Sequence, residues 1–296
     1  MRRLAAVLFT LLAAGLGYVA WSEGTAAPAQ PHPAGPHPEG PLRERTAAAA
    51  HAPLGADRRR ALDAARASCS AAALDQVVAV LEARTQEEGA AAADWTLLAD
   101  ALLERAQRRT LLRGMRVGEP LFSELPAALL RDLEAGAAAL EEGRQRGDDS
   151  CASYRIEAAL LSQRITGLLA ALRYRGDIQR ALTEATARDP DDPKLLVALG
   201  LRQLLAPKML GHDPKGALAR FEAAHRNGGD ERSAVFAAMA CWLLEEPEDC
   251  RRWLETAVAQ NPANPFARAV LARVTSAAAD PFGTDVSAEE AAAGRR

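Results

Sequence analysis

From Asp189 to Pro262 the chain reads DPDDPKLLVALGLRQLLA (189–206), PKMLGHDPKGALARFEAAHRNGGD (207–230) and ERSAVFAAMACWLLEEPEDCRRWLETAVAQNP (231–262). Small and large apolar residues recur here at helical spacing, in the pattern of antiparallel helix pairs, repeated. Helix starts are well marked. Asp192-Pro193, Asp213-Pro214 and, just beyond the stretch, Asn264-Pro265 each set a capping side chain before a first-turn proline. On the first helix of the middle pair the apolar positions are Leu196, Leu199 and Gly200, and on the second they are Ala217, Phe221 and Ala224. The last pair repeats the arrangement with Cys250, Leu254 and Ala257 before Pro262, and the preceding pair ends in Leu182, Ala185 and Pro190. Small residues let two helices approach closely, and large ones fill the groove between pairs.

This pattern resembles the tetratricopeptide repeat, a helix-turn-helix unit of about 34 residues whose copies stack into a solenoid. The resemblance implies an all-α fold, a TPR-like α-solenoid of antiparallel helix pairs. The last unit's first helix departs from it, with Ala234, Ala237 and Ala238 where bulk is usual. Between Gln203 and Ala217 the middle unit is about five residues longer than the repeat spacing. The inserted APKMLGHDP resembles a loop of some bacterial envelope TPR proteins, including the TRAP-transporter-associated T component.

Composition agrees with helices. Hydrophobic residues make up 49% of the 296, yet aromatics only 4%, and alanine, the strongest helix former, dominates. Runs rich in valine, isoleucine and threonine, as strands require, do not occur. A net charge of −3 with both signs interspersed argues against a nucleic-acid partner.

The N-terminus has a different character. Met1-Arg2-Arg3 precedes LAAVLFTLLAAGLGYVAW, an apolar run of 18 residues from Leu4 to Trp21. That length is at the short end of what spans a bilayer and exceeds a usual signal-peptide core. Residues 1–21 therefore read as a signal anchor or a signal peptide. The two arginines hold the start in the cytoplasm, so the rest is expected on the periplasmic side of a bacterial inner membrane, single-pass or secreted after cleavage. Residues 22–56, rich in proline and alanine, read as a disordered linker. Its His32 and His37 recur in PHPAGPHPEG, but such a segment offers metal ligands no fixed geometry, and no metal or cofactor is expected.

Residues 57–279 read as the helical repeat domain. Helices are expected from Asp57, from Leu74 to Arg84, and after Asp94 as N-cap. The excursion Arg108–Pro126 is long for a connection in a compact domain, and apolar enough to pack on the solenoid. A helix from Ala127 to Arg144 and a longer one from Cys151 to about Tyr174 follow. Gly176 in Arg175-Gly176-Asp177 is expected to end that helix, and Asp177 to cap the next. The final helix runs from Phe266 to about Ala278, and residues 280–296 read as a frayed tail.

No nucleophile elbow, phosphate loop, zinc-ligand spacing or dinucleotide fingerprint is present. The chain reads as a binding or scaffold module with a protein partner, not an enzyme. A carrier of a small apolar ligand and a structural spacer in an envelope complex are the alternatives. The TPR resemblance implies that first helices line a concave face. Carried over, it gives Lys194, Val197, Leu201 and Leu204 in the middle unit, and Arg232, Val235, Met239 and Trp242 in the last. Such a stripe suits a partner helix or a greasy ligand, unless the protein's own long helix or the 108–126 excursion fills it. Cys241 and Cys250 flank the Glu245-Glu246-Pro247 turn at similar distances, and the resemblance turns both inward. That favours a disulfide; a buried free cysteine serving as a small residue is the alternative.

Overall fold

A computed structural model describes residues 54–207 and 211–293. It is all-α, with no strand among the described residues, and its helices pack in neighbouring pairs. The twelve described helices are α1 (Leu54–Ala67), α2 (Ala71–Thr85), α3 (Ala92–Thr110), α4 (Ala127–Gln145), α5 (Cys151–Gln163), α6 (Leu168–Arg188), α7 (Pro193–Leu205), α8 (Pro214–Arg226), α9 (Glu231–Leu243), α10 (Pro247–Gln260), α11 (Pro265–Thr275) and α12 (Ala288–Ala293). Each helix packs on the next, and α1, α3, α5, α7 and α9 also touch in succession, forming an inner row as a solenoid requires.

The caps act as the sequence leads one to expect. Asp192 Oδ1 accepts from the Leu195 amide at 2.6 Å, Asp213 Oδ1 from Gly216 at 2.9 Å, and Asn264 Oδ1 from both Phe266 and Ala267. Asp94 behaves differently. The helix begins two residues before it, and its carboxylate reaches back to the Ala91 amide at 3.2 Å, satisfying a donor that the helix leaves open. Helix α1 likewise starts at Leu54, inside the stretch read as linker.

Of the apolar positions singled out in the repeat stretch, Ala217, Phe221, Ala224, Cys250, Leu254 and Ala257 are fully buried. Gly200 lies at a close approach of α7 and α8: an added Cβ would lie 2.5 Å from the Phe221 ring. Gly200→Leu is therefore expected to destabilise by about 1–3 kcal/mol through overpacking. Urea unfolding checks this, and an unchanged midpoint would mean that the pair tolerates separation.

Two boundaries differ from expectation. The break expected at Gly176 falls instead at Arg164–Gly167, where Ile165, Thr166 and Gly167 combine two β-branched residues with a glycine, all poorer helix formers. Arg175-Gly176-Asp177 thus lies inside α6, where a Cβ at Gly176 would meet open space. Residues 281–293 do not fray: Phe282, Val286 and Ala291 are buried and α12 forms within them. Arg273 fastens them, donating to the carbonyls of Thr284 and Asp285 at 2.7 and 2.9 Å and pairing with Glu290 at 2.8 Å.

The apolar run Leu4–Trp21 and the histidines of the proline-rich stretch lie outside the described residues. Among the described residues, no helix is long and apolar enough to cross a membrane.

Candidate functional site

Helix α3 is buried on nearly every side, and its inner face carries two acidic residues one turn apart, Asp100 and Glu104. Around them converge cations from four other inner helices. Arg59 and Arg66 of α1 reach Asp100 Oδ2 at 2.7 and 3.0 Å, and Arg66 Nε reaches Glu104 at 2.7 Å. Lys194 of α7 lies 3.8 Å from Asp100, and Arg155 of α5 lies 3.7 Å from it. From α9, Arg232 crosses to Glu104 at 3.2 Å, to Gln107 at 3.0 Å and to Asp230 at 2.6 Å. Residues 128 apart in sequence are thus tied across the inner face.

Electrostatics follow from this crowding. Burial would raise the Asp100 carboxyl, but Arg66, Lys194, Arg155 and Arg59 outweigh it and hold the group well below the usual range. Glu104 is lowered in the same way, burial being overcome by Arg232 and Arg66. Burial pushes the Lys194 ammonium down to about 8 despite the attraction of Asp100. At Asp230, Arg232 overcomes the burial penalty and holds the carboxyl at about 2.

The sequence-derived stripe meets a different fate at each end. Lys194 and Arg232, expected to face a partner, are instead engaged by Asp100, Glu104 and Asp230 of the same chain. Leu204, Val235 and Met239 are sealed from solvent and offer a partner no surface. Val197, Leu201 and Trp242 are half-buried and pack on the same core cluster. The covering comes from the 111–126 excursion and the C-terminal stretch. Leu111, Leu112 and Met115 pack against that cluster, to which Phe282 and Val286 belong.

Backbone hydrogen bonds hold the cover in place: Met115 N–H to the Phe282 carbonyl at 2.8 Å, Val286 N–H to Leu112 at 2.8 Å, and Gly118 N–H to Leu205 at 3.0 Å. Gly114 is required at this crossing, since a Cβ there would fall 2.5 Å from the Gly283 backbone. The excursion and the tail together cover the apolar end of that stripe, leaving a cavity of about 200 Å³ among Met115, Val117, Met239, Trp242 and Phe282.

The cysteine pair and the residues just before α8 complete this end of the chain. Cys241 and Cys250 are buried free thiols rather than a disulfide, with burial pushing them up to about 11 and about 12. His212 donates from Nδ1 to the Leu204 carbonyl at 2.9 Å, which fastens the inserted loop to α7.

The open surface lies elsewhere, at the N-terminal end of the described stack. Between α1 and α2 runs an open groove of about 340 Å³, floored by Ala61, Ala64, Ala65 and Ala73 and walled by Val77, Val80 and Leu81. Val80, at the groove's lip, is 60% exposed. Arg58 and Gln76 supply polar edges. Alanines on its floor admit a close approach of another apolar surface. The sequence pattern held the hint: α2 carries Val77 and Val80 besides the Leu74, Val78 and Leu81 that its core face consumes. Comparison with protein-family models and with curated proteins finds no match for this chain.

Proposed function

We propose that the chain is a non-enzymatic interaction module of the tetratricopeptide-repeat type, held at a membrane by its N-terminal apolar run. In this reading it takes a helical segment of a protein partner into the groove between α1 and α2. The observation that carries the reading is the alanine-floored groove with its exposed valine lip, at an end of the stack that no described helix covers. In a solenoid each unit packs on its neighbour, so a further helix is the natural occupant of an end left uncovered. The concave stripe is a poorer candidate because the excursion and tail already fill it. A small ligand fares no better at that stripe. The cavity beneath the excursion, about 200 Å³, is smaller than the roughly 300–1,000 Å³ of usual ligand sites.

The test is a photo-crosslinking amino acid at Val80 of the full chain, irradiated in membranes of cells that produce it. A discrete adduct heavier than the chain is expected, absent when the same residue replaces Trp242. Filling the groove with Ala64→Trp should abolish the adduct and leave the melting curve unchanged, because Ala64 is exposed. Crosslinks within the chain alone would show that the groove is capped from inside, and the proposal would fall.

A further inference from the structure

Four large hydrophobic side chains are prominently exposed among the described residues, and three of them sit together at the start of α6: Leu168 at 46%, Leu169 at 83% and Leu172 at 49%. Helix α6 has 21 residues and its hairpin partner α5 only 13, so the longer helix has turns that the shorter cannot cover. Its first buried residue is Ile178.

At about 100° per residue, Leu168, Leu172 and Leu169 fall within an arc of about 100°, with Gly176 among them. Arg175 borders the arc on one side, about 20° from Leu168, and Arg173 on the other, about 40° from Leu169. Both arginines are exposed. Between Arg164 and Arg180 the chain carries four arginines against one acidic residue, Asp177, a net charge of +3.

We infer that the leading turns of α6 are a contact for an anionic lipid bilayer, with Leu168, Leu169 and Leu172 entering the headgroup–acyl boundary and Arg173 and Arg175 meeting lipid phosphates. An apolar arc bordered by arginines suits that boundary, because long basic side chains lay their stems on apolar surface and keep the charge in the headgroups. A second copy of the chain fits less well: pairing two such helices would set arginine against arginine.

Supply of the surface comes from the chain itself. The inference rests on the membrane-held part of the reading above, since Leu4–Trp21 would fix one end at the bilayer. The 32 residues between Trp21 and Leu54, at up to about 3.4 Å each, can reach across about 110 Å.

The experiment uses the full chain with Leu169→Cys carrying an environment-sensitive fluorophore. The native thiols are all raised by burial and react slowly near neutral pH, and the parent chain treated identically is the blank. The protein is reconstituted with vesicles of phosphatidylcholine, alone or mixed equally with phosphatidylglycerol, and both vesicle flotation and probe emission are read. Expected is a blue shift, with quenching by brominated acyl chains, in the anionic vesicles only. Arg173→Glu with Arg175→Glu should weaken that insertion at least on the order of tenfold, since each arginine near an anionic surface is worth on the order of fivefold. Flotation should persist.

Flotation without a shift, equal shifts in both lipids, or a shift that survives the charge reversal would each overturn the inference and leave the N-terminal attachment standing. A shift in vesicle-free protein that grows with protein concentration would assign the patch to a second copy and overturn it too. A shift specific to anionic vesicles with flotation abolished by the charge reversal would support the α6 contact and remove the N-terminal anchor instead.

Discussion

Asp100→Ala is expected to destabilise the fold by about 3–5 kcal/mol, the usual cost of removing one partner from a buried ion cluster. The carboxylate is fully buried and draws in four cations from three other helices, α1, α5 and α7. Without it, Arg66 and Arg155, about nine-tenths buried themselves, face each other with one countercharge fewer. Arg59→Ala is the contrast: its side chain is 40% exposed, so its loss should cost under about 1 kcal/mol. Urea midpoints of the two variants separate a central countercharge from a peripheral one; equal effects would refute the ranking. The acid side gives an independent reading. A carboxyl held below its unfolded value of about 3.9 contributes stability that is present above that pH and lost as the pH falls toward the folded value. Between pH 4 and pH 2 the parent should therefore lose stability more steeply than Asp100→Asn.

Helix content, the Asx-Pro caps and the buried positions of the helix pairs were legible because each is local. A side chain at Asp192, Asp213 or Asn264 has its partner amide within three residues, and the small-large alternation at Ala217, Phe221 and Ala224 needs only the helical period. The inner face was not legible for the opposite reason. Whether Lys194 and Arg232 face a ligand or an internal carboxylate depends on α3, whose Glu104 lies 128 residues from Arg232. No periodicity reports a contact of that range. The sequence of α3 does contain a clue, since Asp100 interrupts the largely apolar run 95–103, and a buried acid demands cations. The tail misled in the same way: its two apolar anchors, Phe282 and Val286, are isolated among polar residues, and only the cleft that receives them makes them core. At α6 the leucines of LLAALRYRG satisfy a core pattern on paper. It is the shortness of α5 that leaves them outside.

Phe282→Ala is expected to cost about 3–5 kcal/mol and, more tellingly, to uncover the apolar stripe that the tail packs on. The ring is 2% exposed and belongs to the cluster of Met239, Val235 and Phe266. It also lines the cavity that reaches Trp242 and Met115, so truncation would merge the lost ring volume with about 200 Å³ already present. The backbone around it is not autonomous. The Phe282 carbonyl accepts from Met115, and the next links, Asp285 to the Gly114 amide at 2.8 Å and Val286 to Leu112, tie the same two segments together. Loosening the ring should therefore loosen the excursion as well as the tail, and the stripe of Leu201, Met239 and Trp242 should become solvent-accessible together. Hydrogen exchange resolves this from a simple loss of core: faster exchange at Met115, Gly118 and Val286 with α3 and α8 still protected is the expected pattern. Tryptophan emission should move to the red as Trp242 gains water. If exchange quickens uniformly across all helices, the tail is one more piece of core, and the stripe has no separate cover to lose.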